Sequence, residues 1–247
     1  MPEAWDLVPD TPRTEEEITT FILFCEDRVD EPYYFRSFQK PGKVKVNVAG
    51  DQYSSFRNIV NTFTYCHREG LLEFSDNQLR IAPGVTNHIW SVFDRDRQTE
   101  NVDEIDPSDN IAFTFSVQSA QKAGLHVAWS NDAFELWILL HFEDVAPGIW
   151  RHRSYVYDRL TALFKAFPDQ PPDMATITSR ENFSYKGYFK NRTNFCLYVL
   201  PHLASRLDGA IQRAKALEAA FHHGQPYHEC NPCTKVHHLV ASIQSFY

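Results

Sequence analysis

Short apolar runs, too short for membrane spans, alternate with helical patterns through the first half of the chain. That alternation narrows the fold more than any other feature. Thr19-Thr20-Phe21-Ile22-Leu23-Phe24-Cys25, Val44-Lys45-Val46-Asn47-Val48, Ile89-Trp90-Ser91-Val92-Phe93 and Leu125-His126-Val127-Ala128-Trp129 read as strands, rich in β-branched and aromatic residues. Between them, Pro32 fits the first turn of a helix carrying Tyr33, Tyr34, Phe35 and Phe38. Ser55 to Glu69 has Phe56, Ile59, Val60 and Phe63 at helical spacing, and a third helix runs up to Ala123, closed by Gly124. Leu71 to Ile81 reads as a small hairpin. Ser130-Asn131-Asp132 reads as the N-cap region of a helix from Phe134 to Phe142, apolar nearly all round and therefore buried. This order predicts an α/β protein with a mostly parallel sheet flanked by helices. After about residue 148 the pattern is helical, over Tyr155–Phe167, Phe195–Arg206, Ala210–Phe221 and Thr234–Phe246. The expected division is a core over 18–147 and a helical C-terminal region over 148–247 packed on it.

Composition limits the function. Hydrophobic residues at 43% and aromatics at 14% supply a large core. With 24 basic and 32 acidic residues the net charge is −8. A free-standing nucleic-acid binder is not expected to carry that charge, so metal ions or a partner would have to offset repulsion of phosphate. No apolar run approaches the roughly 20 residues of a membrane helix. The acidic start lacks the basic and apolar regions of a signal peptide, so a cytoplasmic protein is expected. Five cysteines, an odd number, with Cys25, Cys66 and Cys196 in apolar surroundings, suit reduced thiols. No G-x-x-x-x-G-K-[ST] loop is present.

Two of the strands end in acid: Glu26-Asp27 after the first, Asp94-Arg95-Asp96 after the third. Ligands of open α/β sheets bind at the carboxyl ends of strands. A D-x-D in extended chain sends both side chains to one side, and Glu26 joins them if the two strands are neighbours. Such a set suits a hard divalent cation, which takes oxygen ligands, and metal-assisted phosphodiester chemistry. The plainer alternative is that acids end strands because turns are solvated. Residue pattern alone leaves both readings open.

The segments Phe24-Cys25-Glu26-Asp27, Asp30-Glu31-Pro32-Tyr33-Tyr34-Phe35 and Val92-Phe93-Asp94-Arg95-Asp96 resemble the Toprim arrangement. With the Ala128-to-Phe142 block (Ser130-Asn131-Asp132, Phe134-Glu135-Leu136-Trp137), Tyr185-Lys186-Gly187, Ala210-Ile211-Gln212-Arg213-Ala214 and Asn231-Pro232-Cys233-Thr234-Lys235-Val236-His237, the chain resembles the RloB-like family of Toprim proteins from anti-phage loci. The resemblance implies a Toprim-like, Mg²⁺-dependent nuclease core, with Mn²⁺ as an alternative ion, often encoded beside an ABC/AAA-type ATPase. It implies Glu26, Asp94 and Asp96 as metal ligands, Asp30 or Glu31 as a further carboxylate, Glu135 near a second metal, and Lys186 against the scissile phosphate. Asp27 stands where the family has glycine, Asp132 where it has proline, and Cys233 at a Ser/Thr position. The expected function is a nuclease acting on DNA or RNA, tRNA included, in anti-phage defence. The alternatives are a non-cleaving module that binds a nucleotide or regulates an ATPase, and an enzyme acting on a small or cyclic nucleotide. The oligomeric state stays open.

Three groups of residues stand outside that set. Cys230-x-x-Cys233 with His222, His223, His228, His237 and His238 has zinc-ligand spacing. A single cysteine pair, and Asn231-Pro232 placed as a helix start, argue against zinc there. His126 and His141 read as structural. Arg151, Arg153, Arg159, Arg180, Lys186, Lys190 and Arg192 form the basic enrichment that could meet phosphates.

Overall fold

The computed structural model describes residues 18–53, 55–222 and 224–247. Five strands form one sheet: β1 (Thr19–Cys25), β2 (Val44–Ala49), β5 (His88–Asp94), β6 (His126–Asn131) and β7 (Cys233–Thr234), in the spatial order β2-β1-β5-β6-β7. The first four are mutually parallel, and β7 runs antiparallel to β6. This is the expected α/β class, consistent with a Toprim-like fold. The hairpin is present as β3 (Leu72–Ser75) and β4 (Gln78–Ile81), with Asp76 and Asn77 both at positive φ in its turn.

The central strands read as near-continuous apolar runs because both faces of the sheet are covered there, while the edge strand β2 alternates and exposes Lys45 and Asn47. Phe21, Leu23 and Cys25 of β1, with Trp90 and Val92 of β5, face one core; Phe24, Ile89 and Phe93 face the other. The second core is closed by α2 (Ser55–Arg68) and α3 (Pro107–Lys122), which supply Ile59, Cys66, Phe113, Val117 and Ala120. Asp106 caps α3 by accepting from the Ser108 N–H, and Gly124 follows it at φ +84.

The first core is larger. It takes Tyr34 and Phe35 of α1 (Asp30–Arg36), all of α4 (Glu135–Leu140) except Glu135, Leu160 and Phe164 of α5 (Arg153–Lys165), Met174 of α6 (Pro172–Thr178) and Tyr185 of α7 (Tyr185–Tyr188). After the single turn α8 (Arg192–Asn194) come Ala210 and Leu217 of α9 (Leu207–Ala219) and Leu239 and Ile243 of α10 (Val236–Gln244). One apolar core therefore joins strands of the N-terminal half to helices of the C-terminal half.

The C-terminal elements differ from the periodicity in three places. The helix expected over Phe195–Arg206 is instead a π turn at Phe195–Val199 and two 3₁₀ turns, Leu200–His202 and Ala204–Arg206. Pro201, which has no N–H to donate, interrupts an α-helix there. Thr234, expected inside the last helix, lies in β7, and α10 begins at Val236. The expected helix cap at Asn231-Pro232 is absent: the Asn231 side chain accepts from the Arg151 N–H (2.6 Å) and donates to Asn131 Oδ1 (2.9 Å) and the Arg151 carbonyl (3.0 Å). The five cysteines are free thiols. No helix among the described residues is long and apolar enough to cross a membrane.

Candidate metal centre

From β1 the chain steps sideways to β2, then returns past β1 to build β5 and β6 on its other side. The gap beyond the carboxyl ends of β1 and β5 is thus a topological switch point, where open α/β sheets bind ligands. Glu26 leaves β1 there and Asp94 ends β5. Their registers are held from beneath by the buried Asn58 of α2, whose Nδ2 donates to the carbonyls of Phe24 and Val92, each at 3.1 Å. The Glu26 N–H donates to the Val92 carbonyl (3.0 Å), and the Asp94 N–H donates to Glu26 Oε2 (3.0 Å). Asp94 Oδ2 accepts from the Phe134 N–H (2.8 Å) at the start of α4, while Oδ1 is buried without a partner. Residues 26 and 94 are therefore neighbours.

Helix α1 adds two more carboxylates. Asp30 and Glu31 are almost completely buried, at 0% and 1% exposure, although they open a helix. Glu31 Oε2 accepts from the Asp27 N–H (3.1 Å) and its Oε1 has no partner; neither oxygen of Asp30 has one. Asp27, Asp30 and Glu135 each bring a carboxylate oxygen within 4.8 Å of the others. Asp27 also accepts from the Val29 N–H (3.0 Å), closing the turn without left-handed backbone. The Asp27 charge is thus part of the cluster.

Burial is the main cause of the electrostatics. It raises Asp94, with the Glu31 and Glu26 charges adding to it, well above the carboxylate range. Asp30 is raised by burial and then by Glu135, and Glu31 by burial and then by Asp27 and Glu26. Glu26 is pushed up to about 7, chiefly by burial. Among the described residues, one cation sits inside. Lys190 Nζ lies 2.5 Å from Glu135 Oε1 and 3.1 Å from Asp27 Oδ2. Burial alone would lower Lys190, yet the surrounding carboxylates, Glu135 and Asp30 foremost, hold it above its ordinary range.

Asp96 is placed differently from the D-x-D expectation. The chain leaves β5 at Asp94 and turns into the left-handed region at Asp96 (φ +53), so extended alternation does not relate the two side chains. Asp96 pairs with Arg153, whose charge also acts on Glu26, and stands at the rim. Asp132, expected as a helix cap, makes no capping bond. It is buried and accepts from the backbone N–H groups of Arg97 (2.8 Å) and Arg153 (3.0 Å), with Arg97 Nε 3.5 Å away. The buried guanidinium of Arg97, stacked over Trp150 at 4.3 Å, claims that carboxylate. Lys186 is exposed, 5.5 Å from the Tyr157 ring centroid, and Lys190 is the lysine that enters the cluster. In the sequence Lys190 belongs to the basic stretch that could meet phosphates, with no sign beyond its spacing of four from Lys186, across the α7 turn, that it enters the carboxylates. His141 is structural, its Nδ1 bonded to the Trp137 carbonyl (2.9 Å), and His126 stacks on Trp90.

The donors are all oxygen, fully or partly buried, and more numerous than the cations beside them. Such a set fits a hard ion of the Mg²⁺ or Mn²⁺ type rather than a soft one. A family model described as RloB-like protein matches residues 21–243, nearly the whole chain. No curated protein and no solved structure matches it.

Proposed function

The chain belongs to the RloB-like family, and from that premise we propose that its carboxylate cluster binds Mg²⁺, with Mn²⁺ as an alternative, to hydrolyse nucleic-acid phosphodiesters. One observation carries the reading. Glu26, Asp27, Asp30, Glu31, Asp94 and Glu135 converge at the switch point, with buried oxygens of Asp30, Glu31 and Asp94 left unpartnered. A fold gains nothing in stability from such crowding, because buried like charges repel and each raises the others' pKa. Divalent cations would replace the protons and satisfy the orphaned lone pairs.

Asp27, Asp30 and Glu135, whose oxygens lie within 4.8 Å of one another, would hold an ion on the α1–α4 side, with Glu26, Glu31 and Asp94 flanking it toward β1 and β5. When bound, such an ion supplies Lewis-acid polarisation of a phosphoryl oxygen and a more acidic water. Phe134 N–H and the Asp94 N–H fix the carboxylates of Asp94 and Glu26 before any ligand arrives, so little reorganisation is needed. Lys190 keeps a positive charge against Glu135. Arg153, held by Asp96 at the rim, presents a guanidinium where an incoming phosphate would meet it. A partner ATPase and a role in anti-phage defence remain part of this reading. They fit a chain whose −8 charge disfavours unaided binding of nucleic acid. That same charge favours a second reading, an enzyme acting on a small or cyclic nucleotide.

The test is incubation of the full chain with Mg²⁺ or Mn²⁺ and plasmid DNA, tRNA or a cyclic dinucleotide, with and without any ATPase found encoded beside it. Cleavage of a polymer that disappears in Asp94→Asn is expected. Turnover confined to the cyclic nucleotide would select the second reading, and no turnover under any condition would overturn both.

A further inference from the structure

A second cluster of metal-binding side chains lies away from the carboxylates, between α9 and α10. Glu218 of α9 and His237 and His238 of α10 place one ligand atom each within 4.8 Å of the others. His237 Nε2 is 2.9 Å and His238 Nε2 2.8 Å from the same oxygen, Glu218 Oε2.

The protonation pattern at His237 is the informative detail. Its ring is 1% exposed, and Nδ1 lies 3.2 Å from the Thr234 carbonyl. A carbonyl only accepts, so Nδ1 carries the proton and Nε2 of the neutral ring presents a lone pair. That lone pair faces a carboxylate oxygen, another acceptor, and Nε2 has no hydrogen-bond partner. Two acceptors meeting in a buried place are repulsive unless a cation lies between them or the ring takes a second, buried charge. Donation of the far ring N–H to a backbone carbonyl is also how metal-ligating histidines are oriented. Lys235 ion-pairs with Glu218 through Oε1, which leaves Oε2 for the two rings.

We propose that Glu218 Oε2, His237 Nε2 and His238 Nε2 form a second metal site, for a borderline ion of the Zn²⁺ class. Two nitrogens and one carboxylate oxygen suit zinc and exclude the hard ions expected at the acidic cluster. Ligands of tetrahedral zinc stand about 3.3 Å apart at bond lengths near 2.0 to 2.1 Å. The observed 2.8 and 2.9 Å separations thus require an opening of about half an ångström, which a rotation of the half-buried Glu218 supplies. The fourth position is open. A cavity of about 600 Å³ reaches Glu218 and Lys235 from one side, and one of about 490 Å³ reaches Lys235 and His238 from the other. Cys230 and Cys233 line the larger cavity but do not join the three ligand atoms, so the tail binds metal through histidine and glutamate and not through its cysteine pair.

The test is Co²⁺ and Zn²⁺ titration of the full chain, free of any affinity tag, beside Glu26→Gln/Asp94→Asn, His238→Ala and Glu218→Gln. Co²⁺ reports through visible d–d absorption, which does not depend on any catalytic activity. One equivalent is expected to give a low-symmetry spectrum in both the wild type and the acidic-cluster variant, with any further Co²⁺ taken up by the wild-type carboxylates absent from the variant, and Zn²⁺ is expected to displace the ion that gives the band. His238 is half exposed, so His238→Ala should keep its circular dichroism while losing the band, and Glu218→Gln should lose it too. Absence of binding in the wild type, or a band unchanged in both His238→Ala and Glu218→Gln, overturns the proposal. A band lost only with Glu26 and Asp94 also overturns it.

Discussion

Glu26 shows at residue scale what the cluster costs the fold. Its carboxyl sits at about 7, raised by burial first, against about 4.5 for an unburied one. The folded chain therefore holds a proton that the unfolded chain has already released. Stability from this group is complete below about 4.5, falls as pH rises to about 7, and is flat above. The loss is on the order of 3 kcal/mol. Histidines lowered by burial, His141 and His237 to about 4 each, work in the opposite direction below 6.5, so a raw pH profile would mix the two. Glu26→Gln isolates the effect: glutamine can still accept from the Asp94 N–H, and the histidines are common to both proteins. In urea titrations with EDTA, the variant should gain about 3 kcal/mol on the wild type between pH 4.5 and 7.5. A constant difference would remove the burial argument. Lys190 gives the complementary case. Lys190→Met leaves Glu135, 1% exposed, and Asp30 without their cation. Breaking a fully buried pair costs about 3–5 kcal/mol. Lys190 is a quarter exposed and the acids can protonate, so about 2 kcal/mol is expected at pH 8 in EDTA. Mg²⁺ should restore most of it, as urea midpoints would show.

Among the elements, α2 does the positioning. Asn58, buried in its first half, spans the carbonyls of Phe24 and Val92 across two strands, and Thr62 continues the network to Asn58 Oδ1 and Ser91. Asn58→Ala would remove a donor from two buried carbonyls at the ends of β1 and β5, the Val92 carbonyl keeping the Glu26 N–H, and should cost about 1–3 kcal/mol. It should also weaken Mg²⁺ binding, because the strand ends that carry Glu26 and Asp94 are no longer stapled. Stability lost with Mg²⁺ affinity unchanged would show that the strands hold their register by their ladder alone. The strands β1, β5 and β6 were legible because their runs are largely apolar with both faces covered, and the edge strand β2 because Val44, Val46 and Val48 alternate with Lys45 and Asn47. β7 was not: two residues are too few for any periodicity, and Thr234 pairs with Ser130 only through tertiary context. Glu26 and Asp94 could be read from strand ends. Asp27 and Lys190 could not, since a charge beside a turn and a lysine in a basic stretch look like solvated surface until α1, α4 and α7 close around them. Asp96 was given its side by an alternation that ends two residues earlier, at Asp94.

The cluster is also a property of the whole molecule, because its members come from residues 26 to 190 and a single apolar core joins the elements that carry them. An ion bound there by the native chain, and not by the unfolded one, stabilises everything that core includes. At a free Mg²⁺ concentration a hundred times its Kd the gain is about 2.7 kcal/mol. For a chain of this length each kcal/mol moves Tm by roughly 2–4 °C, so a rise of about 5–10 °C is expected. Protons must leave Glu26, and the still more strongly raised Asp94, Asp30 and Glu31, before the ion can enter. The rise should therefore be larger at pH 8 than at pH 6, and binding should release protons that calorimetry in buffers of different ionisation enthalpy can count. Asp94→Asn should lose most of the rise. Adventitious Mg²⁺ on exposed carboxylates, which have long been ionised at pH 6, would give a small shift of the same size at both pH values and release no protons. That outcome would leave the carboxylates as a crowded, protonated interior with no ion to account for them.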